Sequence, residues 1–248
     1  MKIAIIGKGM IGSQIEKEMK EKNIDEIITI DIDEGKNPDY TSIDEFNCVN
    51  EIADVYIICA WRRSDVINIV KKLNTENHPL VSLETACEPG TFSEMKEIIG
   101  ENGDVVVFQE RYMENDFYHG IFNQPRIMGG DYIAGRKFYL RYMTWDNIVV
   151  TDDPYIAELC KIAENAYRYV EIALAQELRL MVGEKFLELR RLMNTKWNIN
   201  VLEARDGIGK HCLPKDIRIL SSLYQSKLFS TAEESNKIYM NKIGGKDD

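Results

Sequence analysis

The sequence predicts an α/β fold: a doubly wound parallel sheet followed by an all-helical domain built around one long helix. Three observations carry this. Short apolar runs rich in branched side chains, at 2–6, 26–30, 54–60, 80–84 and 104–109, alternate with helical stretches at about 11–22, 64–73 and 92–99, the pattern of a parallel sheet covered on both faces. A glycine-rich turn, Gly7-Lys8-Gly9-Met10-Ile11-Gly12, separates the first run from the first helix. From Pro154 to about Met193 there is no proline and a single glycine, Gly183, while leucine, alanine and isoleucine recur at helical spacing.

The remaining elements follow in order. A further strand–helix–strand unit is expected over 126–129, 132–143 and 147–151. Asp152-Asp153-Pro154 is a helix start, with acidic residues at the cap and proline in the first turn. The boundary therefore divides a nucleotide-binding domain, 1–152, from a helical domain, 153–248. A helix from Pro154 to Met193 would be about 60 Å long. Its apolar positions, Ile172, Leu174, Leu178, Met181, Phe186, Leu189 and Leu192, exceed what two shorter helices at about 214–225 and 230–242 can cover. A homodimer through the long helix is the expectation, making the second domain a dimerisation domain.

Bulk properties exclude several classes. A net charge of -10 argues against a nucleic-acid partner, which needs a basic surface. No run of 18 apolar residues exists, so no membrane span is expected. The chain enters a strand directly after Met1, which leaves no room for a signal peptide. Five cysteines are scattered without CxxC spacing, which fits a reducing cytoplasm. Three scattered histidines predict no metal site, and a small-molecule substrate is the expected partner.

The glycine turn sharpens the first domain to a Rossmann type. Gly7, Gly9 and Gly12 match GxGxxG between a strand and a helix. There glycines permit the tight turn, the close approach of a ligand and the packing of helix on strand, and the helix start favours negative charge. Asp31 ends the second strand, where a carboxylate can accept both hydroxyls of an adenosine ribose. The expected cofactor contacts are Gly7, Lys8, Gly9, Met10, Ile11, Gly12, Asp31 and Ile32, with Ala60, Trp61 and Arg62 from the loop after the third strand. The acid favours an unphosphorylated ribose, hence NAD over NADP, but does not separate NAD from S-adenosylmethionine.

Several segments resemble the UDP-glucose and UDP-N-acetylmannosamine dehydrogenases. Ala157-Glu158-Leu159-Cys160-Lys161 followed by Glu164-Asn165-Ala166-Tyr167-Arg168 is similar to that family's AE-x-x-K…EN-x-x-R helix. Residues 207–216, GIGKHCLPKD, resemble its G-x-G-G-H-C-x-P-x-D segment. Glu110-Arg111 and 125–130, PRIMGG, resemble PER…NPRVIGG, and 84–91, ETACEPGT, resembles ESTVPPGT. The resemblance implies that Cys212 is the nucleophile of two successive oxidations of an alcohol to a carboxylate, with Lys161, Asn165 and Asp216 stabilising oxyanions and orienting water. His211, Lys210 and Lys215 are the nearby cations. The chain departs at Ala86, where the family has threonine; at Lys210, where it has glycine; and at Ala60-Trp61-Arg62-Arg63, where it has V-P-T-P. It also stops at Asp248, where the family continues into a domain that binds the UDP moiety.

Those departures favour a second resemblance, of architecture, length and composition, to HcgC-type methyltransferases of iron-guanylylpyridinol (FeGP) cofactor biosynthesis for Fe-hydrogenase. It implies transfer of a methyl group from S-adenosylmethionine to a pyridinol carbon. Thr85, Cys87, Glu110, Arg111 and Tyr112 would orient the ring, and Arg62 or Lys210, with His211, would meet the substrate. The S-adenosylmethionine-dependent methyltransferase is the leading expectation here. An NAD-dependent nucleotide-sugar dehydrogenase is the alternative, and a catalytically silent nucleotide-binding protein the third.

Overall fold

The computed structural model describes the chain except Asn50, Glu114, Asn115, Phe117, Lys210 and residues 245–248. Among the described residues seven strands form one sheet: β1 (Lys2–Ile6), β2 (Glu26–Ile30), β3 (Val55–Ile58), β4 (Leu80–Leu83), β5 (Asp104–Val107), β6 (Arg126–Gly130) and β7 (Ile148–Val150). Their order is β2-β1-β3-β4-β5-β6-β7. Every pairing is parallel except β5 with β6, which is antiparallel.

The strands are apolar at nearly every position because both faces are covered. Ala4 and Ile6 join one core with Tyr56, Ile58, Val81 and Leu83, whereas Ile3 and Ile5 join another with Val55, Ile57, Phe108 and Tyr139. Successive side chains point to opposite faces of a strand, so one run feeds two cores. The connecting helices are α1 (Met10–Lys22), α2 (Ile43–Cys48), α3 (Arg63–Val70), α4 (Thr91–Ile99) and α5 (Tyr132–Tyr139). All but α2 were expected. It is a short helix capped by Ser42, whose Oγ accepts from the Glu45 amide at 3.1 Å, while the Glu45 carboxylate accepts from the Thr41 amide at 2.7 Å.

The long helix begins at Pro154 as expected. α6 (Pro154–Val182) reaches Gly183, which adopts φ +58 and opens a single 3₁₀ turn before α7 (Phe186–Met193). Two compact units divide inside α6, at Lys161/Ile162. The cut falls beyond the expected 152/153 because the first turns of α6 pack on the sheet. An added Cβ at Gly129 would lie 2.7 Å from Pro154 Cα and 2.9 Å from Ala157 Cβ. Glu158, fully buried, accepts from the amides of Gly90 at 2.6 Å and Phe92 at 2.7 Å, closing the start of α4.

The second unit holds the rest of α6, α7, α8 (Cys212–Tyr224) and α9 (Lys227–Ile243). Ala175, Phe186, Val201, Ala204 and Tyr239 form its core. Ile172 and Phe186 are buried, but Leu174, Met181, Leu187 and Leu192 are exposed. No helix among the described residues is long and apolar enough to cross a membrane.

Candidate functional site

The glycine turn has the geometry of a ligand cradle. Gly7 sits at φ +99, and a Cβ there would press on the Cys59 backbone at 3.2 Å. At Gly12 a Cβ would lie 1.9 Å from the Gly7 carbonyl, so this glycine sets how closely α1 approaches β1. A Cβ at Gly9 meets nothing within 4 Å. Gly9 also caps α1 without a side-chain hydrogen bond, so the first amides of α1, from Met10, Ile11 and Gly12, remain for an anion. Asp31 closes the cradle: its Oδ2 accepts from the Lys8 amide at 2.5 Å and its Oδ1 from the Asp33 amide at 2.8 Å. Lys36 Nζ lies 3.0 Å from Oδ2. Burial opposes the charge on Asp31, but the Asp33 amide, Lys36 and the Lys8 amide hold its carboxyl below the usual carboxylate range. Beside it Ile32 is 91% exposed, an apolar side chain next to the carboxylate.

The loop after β3 borders this turn through Cys59. Trp61 is exposed and carries the Arg62 guanidinium 4.8 Å from its ring centroid. Ala60 is held from below: Thr85 Oγ1 and the Cys87 thiol both donate to its carbonyl, and the thiol also faces the Trp61 carbonyl at 3.2 Å. Cys87 is fully buried. These two side chains, expected to orient a substrate, bond here to the Ala60–Trp61 loop.

A second group gathers at the carboxyl ends of β4 and β5. Glu110 is buried, its Oε2 accepting from the Tyr112 amide and its Oε1 lying 3.8 Å from Lys161 Nζ. Burial pushes the Glu110 carboxyl up, and Lys161 and Arg126 pull it back. Tyr112 also lines a cavity of about 530 Å³ with Gln14, Glu18, Phe122 and Tyr142. Arg111 donates to the Pro125 carbonyl at 2.8 Å.

The second unit brings Asn165 to Asp216: Nδ2 donates to Oδ2 at 2.6 Å, and Lys215 Nζ lies 2.7 Å from Oδ1. Asp216 is fully buried. Cys212 is exposed as the first residue of α8, with His211 at its cap, where the helix end favours negative charge. Cys212 and Asp216, four apart, share a face of α8. The segment before them is tied down by Asn236, whose Oδ1 accepts from the Ile208 amide at 2.9 Å and from Gln176 at 3.0 Å. Gly207, at φ +116, leaves no room for a side chain against Met240. Lys210 lies outside the described residues.

Residues 156–238 match the UDP-glucose/GDP-mannose dehydrogenase family, central domain. The UDP-N-acetyl-D-mannosamine dehydrogenase of Methanocaldococcus jannaschii is 28% identical over 210 residues, covering 75% of this chain and 49% of the relative. That of Escherichia coli is 30% identical over 147 residues, covering 56% of this chain and 35% of the relative. The chain thus spans half or less of the length of these relatives. The chain resembles the UDP-sugar dehydrogenases. The UDP-D-ManNAc dehydrogenase structure from Pyrococcus horikoshii superposes with a TM-score of 0.82 at 23% identity, over 96% of this chain and 69% of that one, a likeness of fold.

These matches correct the methyltransferase expectation, and with it S-adenosylmethionine as cofactor, a pyridinol as substrate and a place in FeGP biosynthesis. Length and architecture, which carried that expectation, are shared by adenosine-binding proteins of many chemistries. The matched central-domain span contains Lys161, Asn165, Cys212 and Asp216, side chains suited to carbonyl chemistry at a thiol. Lys36 carried no signal of its own in the sequence. The buried pair Glu84–Arg126 did: a carboxylate ending the apolar run 80–84 requires a partner.

Proposed function

We propose that this chain carries the nicotinamide-binding and thiol-bearing parts of an NAD-dependent oxidoreductase acting on the sugar of a nucleotide sugar. The observation that carries the reading is the cradle: an open Cβ position at Gly9 beside an Asp31 carboxylate held ionised by two amides and Lys36. Gly7, Gly9, the first turn of α1, Asp31 and Ile32 would hold the adenosine diphosphate moiety, with the Ala60–Arg62 loop at its edge. The bound nucleotide would supply the hydride acceptor.

Oxidising a primary alcohol to a carboxylate removes two hydrides and adds water. By resemblance, the Cys212 thiolate adds to the carbonyl carbon of the intermediate aldehyde. Loss of the second hydride from that thiohemiacetal leaves a thioester, and attack of water on the acyl carbon breaks the C–S bond and restores the thiolate. Asn165 and Lys161 would stabilise the oxyanions, with Asp216 orienting Asn165 and water. Glu110, beside Lys161, would accept or return a proton. Arg111 and His211 are candidate substrate contacts. Cys212 needs a reducing compartment to stay a thiol, which fits cytoplasmic chemistry.

The exposed apolar side chains Leu174, Met181, Leu187 and Leu192 support a homodimer through α6 and α7. The experiment for the activity is NADH formation with UDP-N-acetylmannosamine or UDP-glucose. Two equivalents of NADH per sugar are expected, with complete loss of carboxylate product in Cys212→Ala. Undiminished carboxylate formation by that variant would overturn the reading.

A further inference from the structure

Glu84 and Arg126 are each 0% exposed, so each charge has the other as its counter-ion in place of water. Arg126 Nη2 donates to Glu84 Oε2 and to the Phe108 carbonyl, and Nε reaches the Gln109 carbonyl at 3.4 Å. The guanidinium lies 3.9 Å from the Phe108 ring centroid. On the other side of the pair, Ser82 Oγ and Tyr139 OH both donate to Glu84 Oε1. The backbone completes the frame, because the Glu110 amide donates to the Glu84 carbonyl at 2.8 Å. Arg126 therefore holds the Phe108 and Gln109 carbonyls, and the backbone of its partner Glu84 holds the Glu110 amide that follows them.

A buried pair of this kind is an expensive way to stabilise a fold. Two apolar side chains of similar volume often serve as well or better. Its placement has a more specific consequence. The segment that it fixes ends in Glu110, whose carboxyl faces Lys161. We infer that the Arg126–Glu84 pair is the positioning element of Glu110, holding its backbone in register and setting the balance of charge that its carboxyl meets.

The groups facing Glu110 are Lys161 from α6, Arg126 from β6, Glu84 after β4 and the Cys59 thiol after β3. Burial raises the Glu110 carboxyl; Lys161 and Arg126 lower it, and Glu84 raises it. The two members of the pair thus act on Glu110 with opposite signs.

The inference rests on the reading of Glu110 as part of the reacting site, but its test does not need turnover. Glutamate carboxyl carbons labelled with carbon-13 are followed by NMR against pH in the full chain, with the Glu110 resonance assigned from Glu110→Gln. Arg126→Met is expected to move the Glu110 midpoint up by about one unit, and Glu84→Gln to move it down by a similar amount. Shifts of the same sign in both variants, or none in either, would overturn the inference. Should Arg126→Met fail to fold, the Glu84→Gln arm decides: an unmoved or raised midpoint defeats it. A separate assay of Glu110→Gln for sugar oxidation tests the underlying reading, so the two failures remain distinguishable.

Discussion

The Lys8 amide donates to the Asp31 carboxylate at 2.5 Å, joining the glycine turn after β1 to the end of β2. One contact thus shapes the wall of the cradle and uses half of one carboxylate. The other oxygen is held by Asp33 at 2.8 Å, and Lys36 approaches both. A ribose that binds here meets a carboxylate whose charge and orientation are already set.

Asp31→Asn is expected to weaken NAD binding by at least about tenfold, since charged hydrogen bonds to hydroxyls contribute roughly 1.5–3 kcal/mol. The same variant tests the electrostatics of the fold. The folded Asp31 carboxyl lies below its ordinary range, so its contribution is present above the unfolded value and lost as pH falls through the folded one. Denaturant titrations at several acidic pH values should show a wild-type advantage over Asp31→Asn that shrinks with acidification.

Gly9→Ala and Gly12→Ala separate binding from folding. A methyl group at Gly9 meets nothing within 4 Å, so thermal unfolding of the unliganded variant should match wild type while NAD affinity falls at least about tenfold. At Gly12 the Gly7 carbonyl is 1.9 Å away. Gly12→Ala should therefore destabilise the fold by about 1–3 kcal/mol or more, seen as a lower denaturant midpoint.

Glu158→Ala should cost about 2–3 kcal/mol by leaving the Gly90 and Phe92 amides without their buried acceptor. Glu158→Gln should recover part of this. Burial raises the Glu158 carboxyl, against the pull of the Gly90 and Phe92 amides. A raised value contributes stability below the unfolded value that disappears as pH rises through the folded one. The gap between wild type and Glu158→Gln should accordingly narrow with rising pH, checked by chemical denaturation across that range.

Met181→Lys combined with Leu174→Glu should convert a dimer to a monomer in sedimentation experiments, because both side chains are exposed on α6. An unchanged sedimentation coefficient would remove this face from the interface.

Much of this was legible in the chain. The strands announced themselves because each is apolar at nearly every position, and the glycine turn because each of its glycines answers a different steric demand. The segments holding Lys161, Asn165 and Cys212 were legible as dehydrogenase-like, and they fall inside the matched span 156–238. What stayed hidden depends on contacts distant in sequence. The bonds of Thr85 and Cys87 to the carbonyl of Ala60, 25 residues before Thr85, are of this kind. Ser42 and Glu45 could have revealed α2, since a Ser-x-x-Glu spacing marks a helix start. The cofactor was misjudged because a carboxylate at the end of the second strand would suit any ribose diol, whatever the rest of the nucleotide carries.

The most direct test is calorimetric titration of the full chain with NAD and with NADP, alongside Asp31→Asn. Saturable binding of NAD, at least about tenfold tighter than NADP and weakened in the variant, is the predicted result. Absence of NAD binding, or equal binding by Asp31→Asn, would contradict the assignment of the glycine turn and Asp31 as a nicotinamide-nucleotide site.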